Sequence, residues 1–198
     1  TALEAGGINV NSEYRSAEEA VGQLVTKGEL EPGTVILCSL TMNGWRQVVQ
    51  QAIFKAPNCP VIGMVDHLTD QVIIEALRNG VLYCISRTFS AEKWVETVKD
   101  VYNSKASPAQ MLLQHPAALG RVLMALSQPP TPPGLEPLGP NLGDRERLTL
   151  ANLSEGVPPE VIAERVGITN QAINEVVESI LRKLVARHRL LLTLDQLR

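Results

Sequence analysis

From Leu142 to Leu184 the chain repeats one pattern three times: an apolar set at helical spacing, then a residue that ends or starts a helix. Leu150 and Leu153 precede Gly156, and Val161, Ile162 and Val166 precede Gly167. After Thr169 comes a longer set, Ile173, Val176, Val177, Ile180, Leu181 and Leu184. Apolar residues recurring every three or four positions give each helix one face to bury, glycine ends a helix cheaply, and threonine is a good N-cap for the next. The grammar is that of a helix-turn-helix preceded by a supporting helix.

Residues Arg145, Glu146, Leu150, Glu155, Gly156, Ile162, Ala163, Glu164, Arg165, Gly167, Ile168, Thr169, Val177, Ile180, Leu181, Lys183 and Leu184 match, almost without gaps, one known pattern. The run resembles the DNA-binding domain of LuxR-type response regulators. The resemblance implies that the helix opening at Thr169 enters the major groove while the preceding helix crosses the backbone. It implies base contacts from Thr169, Asn170, Gln171 and Asn174, since Asn and Gln suit adenine in bidentate fashion. Phosphate contacts are expected from Arg165, Arg182, Lys183 and Arg187. This chain nevertheless departs from the family: from Thr169 to Ile180 it offers no Lys or Arg and carries Glu175 and Glu178. Each missing cation weakens the attraction to phosphate on which non-specific affinity rests.

The Pro-rich stretch from Gln128 to Pro133 divides the chain. We read residues 1–105 as one domain, 106–140 as a helical and Pro-rich linker, and 141–198 as the helix-turn-helix domain. A formal net charge of −3, with acids and bases balanced in the C-terminal part, argues neither for nor against nucleic acid. Cys38, Cys59 and Cys84 are odd in number and lie in or beside apolar runs, which indicates buried thiols in a reducing cytosol and neither a disulfide framework nor a metal site. No apolar run reaches the length of a membrane span, and no signal peptide is visible. A cytoplasmic protein is expected.

The N-terminal part alternates strand and helix. Strands are expected at Ile8 to Tyr14, Thr34 to Leu40, Pro60 to Val65 and Val81 to Ser86. Helices are expected at Ala17 to Lys27, Trp45 to Lys55, Asp70 to Asn79 and Ala91 to Tyr102. Short, β-branched, continuously apolar strands between amphipathic helices indicate a doubly wound α/β fold with a parallel sheet covered on both faces. With Pro60 to Val65, the span to Gly80 and the loop after Ser86, this part resembles the receiver domain of response regulators, a flavodoxin-like fold. The family's first strand, with its acidic pair for Mg²⁺, is expected before Ala2.

The resemblance places the phosphorylation site on Ser39, Val65 and Arg87, where the family has a nucleophilic Asp, a Thr or Ser, and a Lys. A serine with no base to activate it, and no carboxylates to hold a metal, does not support phosphoryl transfer by the usual chemistry. Cys84 stands where the family has a switch aromatic, with Tyr83 beside it. Asp66 and Asp70 are the nearby carboxylates, and His67 reads as an exposed loop residue. The domain is a pseudo-receiver by this reading, without catalytic residues, metal or cofactor.

Between the domains, Ala106 to Ser127 reads as a helix with a break at Pro116 and an apolar stripe of Met111, Leu112, Leu119, Val122, Leu123 and Leu126. Pro129 to Pro140 reads as an extended spacer, with His115 on linker surface. Two functions follow. One is a phosphorylation-independent transcription regulator that binds double-stranded DNA, most simply as a homodimer, with an effector or partner protein at the pseudo-receiver. Dimer surfaces are expected on Ala91 to Tyr102, on the stripe Met111 to Leu126, and on a last helix near Val185 to Leu192. The other is a protein-interaction module that has lost DNA binding. An enzyme is not expected.

Overall fold

The computed structural model describes residues 1–26, 30–113, 116–128 and 141–196. The expected spacer Pro129 to Pro140, His115 and Lys27 lie outside them.

Strands β1 (Ile36–Ser39), β2 (Val61–Val65) and β3 (Tyr83–Ser86) form a parallel sheet in the order β1-β2-β3, with Ile36 opposite Val61 and Ile62 opposite Tyr83. Parallel neighbours need helical crossovers, supplied by α3 (Trp45–Lys55) and α4 (Asp70–Arg78). The remaining helices of this half are α1 (Ala2–Ala5), α2 (Ala17–Thr26) and α5 (Ala91–Tyr102). Side chains alternate along each strand and therefore feed two cores. Cys38, Val61 and Cys84 pack with Ala17, Trp45, Val48, Val49 and Ile53 from α2 and α3. Ile62 and Ile85 pack on the other face with Val98 and Val101 of α5 and Leu3 of α1. The sheet is thus an α/β layer covered on both faces, as the apolar strands require.

The expected strand Ile8 to Tyr14 does not form. Ile8 joins the α5-side core and Tyr14 the α2–α3 core, so the segment passes from one face of the sheet to the other instead of pairing with β1. Asn9 donates its side-chain amide to Asn11 at 2.8 Å, a local bond of the kind that competes with ladder formation. Cys38 and Cys59 are buried free thiols whose pKa burial pushes up to about 11, and Cys84 is a half-buried one.

The expected helix from Ala106 is two: α6 (Gln110–Leu113) and α7 (Pro116–Ser127). Proline, lacking an N–H and clashing with the preceding turn, is tolerated in the first turn and not inside. Beyond the spacer come α8 (Asp144–Ser154), α9 (Pro159–Val166) and α10 (Asn170–Gln196). The last helix, with its stretch near Val185 to Leu192, is α10 throughout, because no helix-breaking residue separates Leu184 from Leu192. Gly156 and Gly167 take left-handed φ values of 81° and 71°, and the amides after them close the helix ends by donating to Asn152 O and Ala163 O, each at 3.0 Å.

A third core joins the two halves. Ile73 and Leu77 of α4 pack with Leu119, Val122, Leu123 and Leu126 of α7, Leu153, Ile162, and Ile173, Val177, Ile180, Leu181 and Leu184 of α10. Burial of each such side chain contributes roughly 2 kcal/mol. The apolar stripe of α6 and α7 is therefore spent inside the molecule: Leu112, Leu119, Val122, Leu123 and Leu126 are all buried, which corrects the expectation of a dimer surface there. Gly120 makes the α7–α8 crossing possible, for a Cβ there would lie 2.1 Å from Leu153 O.

Candidate nucleic-acid interface

α10 is presented by a three-residue turn. Gly167 reverses the chain, Ile168 packs against the third core, and Thr169 caps the new helix by accepting from the Ala172 amide at 3.1 Å. Ile173, Val177, Ile180 and Leu181 face inward with at most 1% exposure. Helical periodicity then forces Thr169, Asn170, Gln171 and Asn174 outward, and all four are exposed. Asn170 and Asn174, and Gln171 and Glu175, stand one turn apart, so the amides form one polar strip at the free end of the helix. Gln171 donates to Glu175 at 3.2 Å.

The four cations expected at phosphates are placed differently from one another. Arg165, on α9, is exposed and reaches Asn152 at 3.4 Å. Arg182 is paired one turn back with Glu178, its Nε 2.9 Å from the carboxylate. Lys183 donates to Glu146 at 2.7 Å. Arg187 is half-buried against α7, donating to Ser127 O at 3.4 Å, and burial holds its pKa below the usual arginine value. All four thus have a partner within the chain; Arg165, Arg182 and Lys183 stay exposed, and Arg187 is half-buried.

Glu146 is the carboxylate that organises the base of the helical half. Burial alone would raise its pKa, but hydrogen bonds from Lys183, from Ser179 at 2.6 Å and from the Gly143 amide at 2.8 Å hold it below the usual value. Those bonds tie the start of α8 to the middle of α10. Sequence reasoning matched Glu146 and Lys183 to a motif but did not pair them; their side chains meet only once α8 has folded across α10.

Ser39, Val65 and Arg87 do come together at the C-terminal end of the sheet. The Arg87 guanidinium donates to Ser39 Oγ and lies 3.7 Å from the Asp66 carboxylate. Val65 is buried at 2% exposure and presents no polar atom. Hydroxyls complete the site: Thr41 lies 3.1 Å from Ser39 Oγ, and Ser86 bonds Thr88 at 2.8 Å and Asp66 O at 3.2 Å. The sequence reading did not single out Thr41, Ser86 or Thr88. Asp70 pairs with Arg121 of α7 at 2.9 Å, and His67 is exposed. Among the described residues no group of three His, Cys, Asp or Glu is placed to hold a metal ion, and no helix is long and apolar enough to cross a membrane.

No family model matches the chain, and no curated protein matches it. Among solved structures it is similar to full-length FixJ from B. japonicum, at 17% identity and a TM-score of 0.41, over 94% of this chain and 86% of that one.

Proposed function

We propose that this chain is a phosphorylation-independent, non-enzymatic response regulator of the cytoplasm that binds double-stranded DNA through the N-terminal turns of α10. The observation that carries the reading is the exposed strip Thr169, Asn170, Gln171 and Asn174, offered at the free end of a helix that follows a left-handed turn. Its amides match the donor and acceptor edge of adenine in the major groove. Arg165, exposed on the preceding helix α9, supplies phosphate attraction, and a homodimer sets two such helices about 34 Å apart on successive grooves. With the stripe of α6 and α7 buried, α5 and the outer face of α10 near Val185 to Leu192, where Leu190 is exposed, are the remaining dimer surfaces of those considered. At the C-terminal end of the sheet, Ser39, Arg87 and Asp66 form a polar network beside the apolar Val65, with neither the nucleophile nor, among the described residues, the metal ligands of phosphoryl transfer, so an effector or partner protein, not phosphate, is the input.

The internal engagement of Arg182, Lys183 and Arg187 favours a second reading, an interaction module without DNA binding. Selection from a random duplex library, followed by anisotropy titration of the enriched sequence across a salt series, separates the two. The DNA reading expects an enriched site and a shallow salt slope, because few phosphates are neutralised. Failure to enrich any sequence, with no binding at low salt, selects the interaction module.

A further inference from the structure

We propose that the junction between α4, α7 and the C-terminal half of α10 is a proton-sensitive clasp, in which charging His188 opens the junction and frees α10 from the α/β half. Its effect on DNA rests on the functional reading above; the clasp itself does not.

A helix C-terminus leaves its last carbonyls unsatisfied and carries partial negative charge. α7 has no basic residue in its own last turn, and three basic side chains from elsewhere take its last three described carbonyls of that turn. Arg78 of α4 donates to Ala125 O at 2.8 Å, His188 of α10 bonds Leu126 O at 3.1 Å, and Arg187 reaches Ser127 O at 3.4 Å. A carbonyl only accepts, so the proton of the neutral ring sits on Nε2. His188 is 4% exposed.

The charges acting on the ring are Arg187 of α10 and Arg78 of α4; α7 contributes carbonyl oxygens alone. Among the described residues no ion pair includes Arg78, Arg187 or His188, and the Nε atoms of both arginines are buried without a hydrogen-bond partner. Among the described residues the junction thus holds two fixed positive charges with no carboxylate paired to either, and protonating His188 adds a third. Burial and the two arginines hold the ring below the usual histidine value, against the opposing pull of Leu126 O. The sign follows. The clasped state resists the proton and the open state accepts it, so clasping is complete above about 6.5 and weakens as pH falls below that, by up to about tenfold per pH unit between the two pKa values.

The neighbouring Arg189 extends the consequence to the α/β half. Its guanidinium donates to Gly80 O at 2.9 and 2.6 Å and to Pro57 O at 2.8 Å. Residues 187–189 of α10 therefore add polar contacts to both α7 and the α/β half at the C-terminal end of the third core. From His188 to Asn174 is about 21 Å along the helix, so a small tilt at the clasp displaces the polar strip.

The test uses the full chain without DNA. In ¹⁵N-labelled protein, the His188 ring and the backbone amides of residues 123–128 and 186–190 are followed from pH 8 to pH 5. The clasp expects the Nε2-protonated tautomer at pH 8, a ring midpoint below 6.5, and loss of junction amide protection with the same midpoint. His188→Gln, which keeps a donor for Leu126 O but does not titrate, is expected to stay docked across this range. Ring titration without any change in the junction amides overturns the proposal, as does the same pH-dependent release in His188→Gln. Should that variant fail to fold, the coincidence of midpoints in the wild type still decides.

Discussion

Gly120→Ala isolates the contact that seats the helical half. In an unencumbered helix this change stabilises by about 1 kcal/mol, since alanine is the better helix former. Here the new methyl group would lie 2.1 Å from Leu153 O, against an ordinary carbon–oxygen contact of about 3.3 Å. The obstacle is backbone, which cannot swing aside, so α7 and α8 must part by about 1 Å along a core that includes Leu119, Leu123, Leu126 and Leu153. Overpacking of this kind costs about 1–3 kcal/mol, and a contact this short sits at the upper end. After the gain in helix propensity is set against it, a net loss of about 1–2 kcal/mol remains, a fall in Tm of roughly 2–8 °C for a chain of this length. Thermal unfolding followed by circular dichroism measures it. Gly22→Ala in α2 is the matched control, because a Cβ there meets nothing within 4 Å; it is expected to raise Tm by a few degrees. If Gly120→Ala raises Tm as Gly22→Ala does, the close crossing of α7 and α8 is refuted.

Glu146→Gln replaces a carboxylate that holds three donors and sets an amide against the Lys183 ammonium. A loss of about 1–3 kcal/mol at pH 7 is expected by urea unfolding. Because the folded pKa of Glu146 lies below its ordinary 4.5, the contribution is present above 4.5 and lost as pH falls through the folded value, so the wild-type and Gln curves converge in acid. Parallel curves down to pH 3 would contradict this. Ser39→Asp places a carboxylate beside Arg87, an exposed pair that adds at most about 1 kcal/mol. It does not restore phosphorylation, since Val65 offers no hydroxyl and no metal ligands are supplied. Intact mass after treatment with acetyl phosphate checks it, and a stoichiometric 80 Da adduct, about the mass of one phosphoryl group, on either protein would disprove the phosphate-independent reading.

The sheet was legible in the sequence because buried parallel strands are short apolar runs: β1, β2 and β3 lie within the segments read from Thr34, Pro60 and Val81. α3 and α5 fall at the read boundaries, for each opens on a clear change from turn to amphipathic pattern. Ile8 to Tyr14 does not form the expected strand, because β-branched residues in a short segment cannot say whether a partner strand is within reach. Ile8 and Tyr14 instead anchor on opposite faces. Of the candidate interface, the exposure of Asn170, Gln171 and Asn174 follows directly from the period of the inward face. The fates of Lys183 and Arg187 do not, because their partners Glu146 and Ser127 O are distant in sequence. The basic cluster of Arg78, His188 and Arg189 was invisible for the same reason: its acceptors are backbone carbonyls, which no residue type marks.

The central claim, that the strip at the start of α10 reads bases, is tested most directly by anisotropy titration of Asn174→Ala and Gln171→Ala against the selected site and against random duplex. Each change is expected to cost roughly 1–3 kcal/mol on the selected site and little on random DNA. Arg165→Ala, by contrast, weakens both alike and lowers the salt slope by about one unit. If Asn174→Ala and Gln171→Ala bind every sequence as the parent does, α10 does not read DNA.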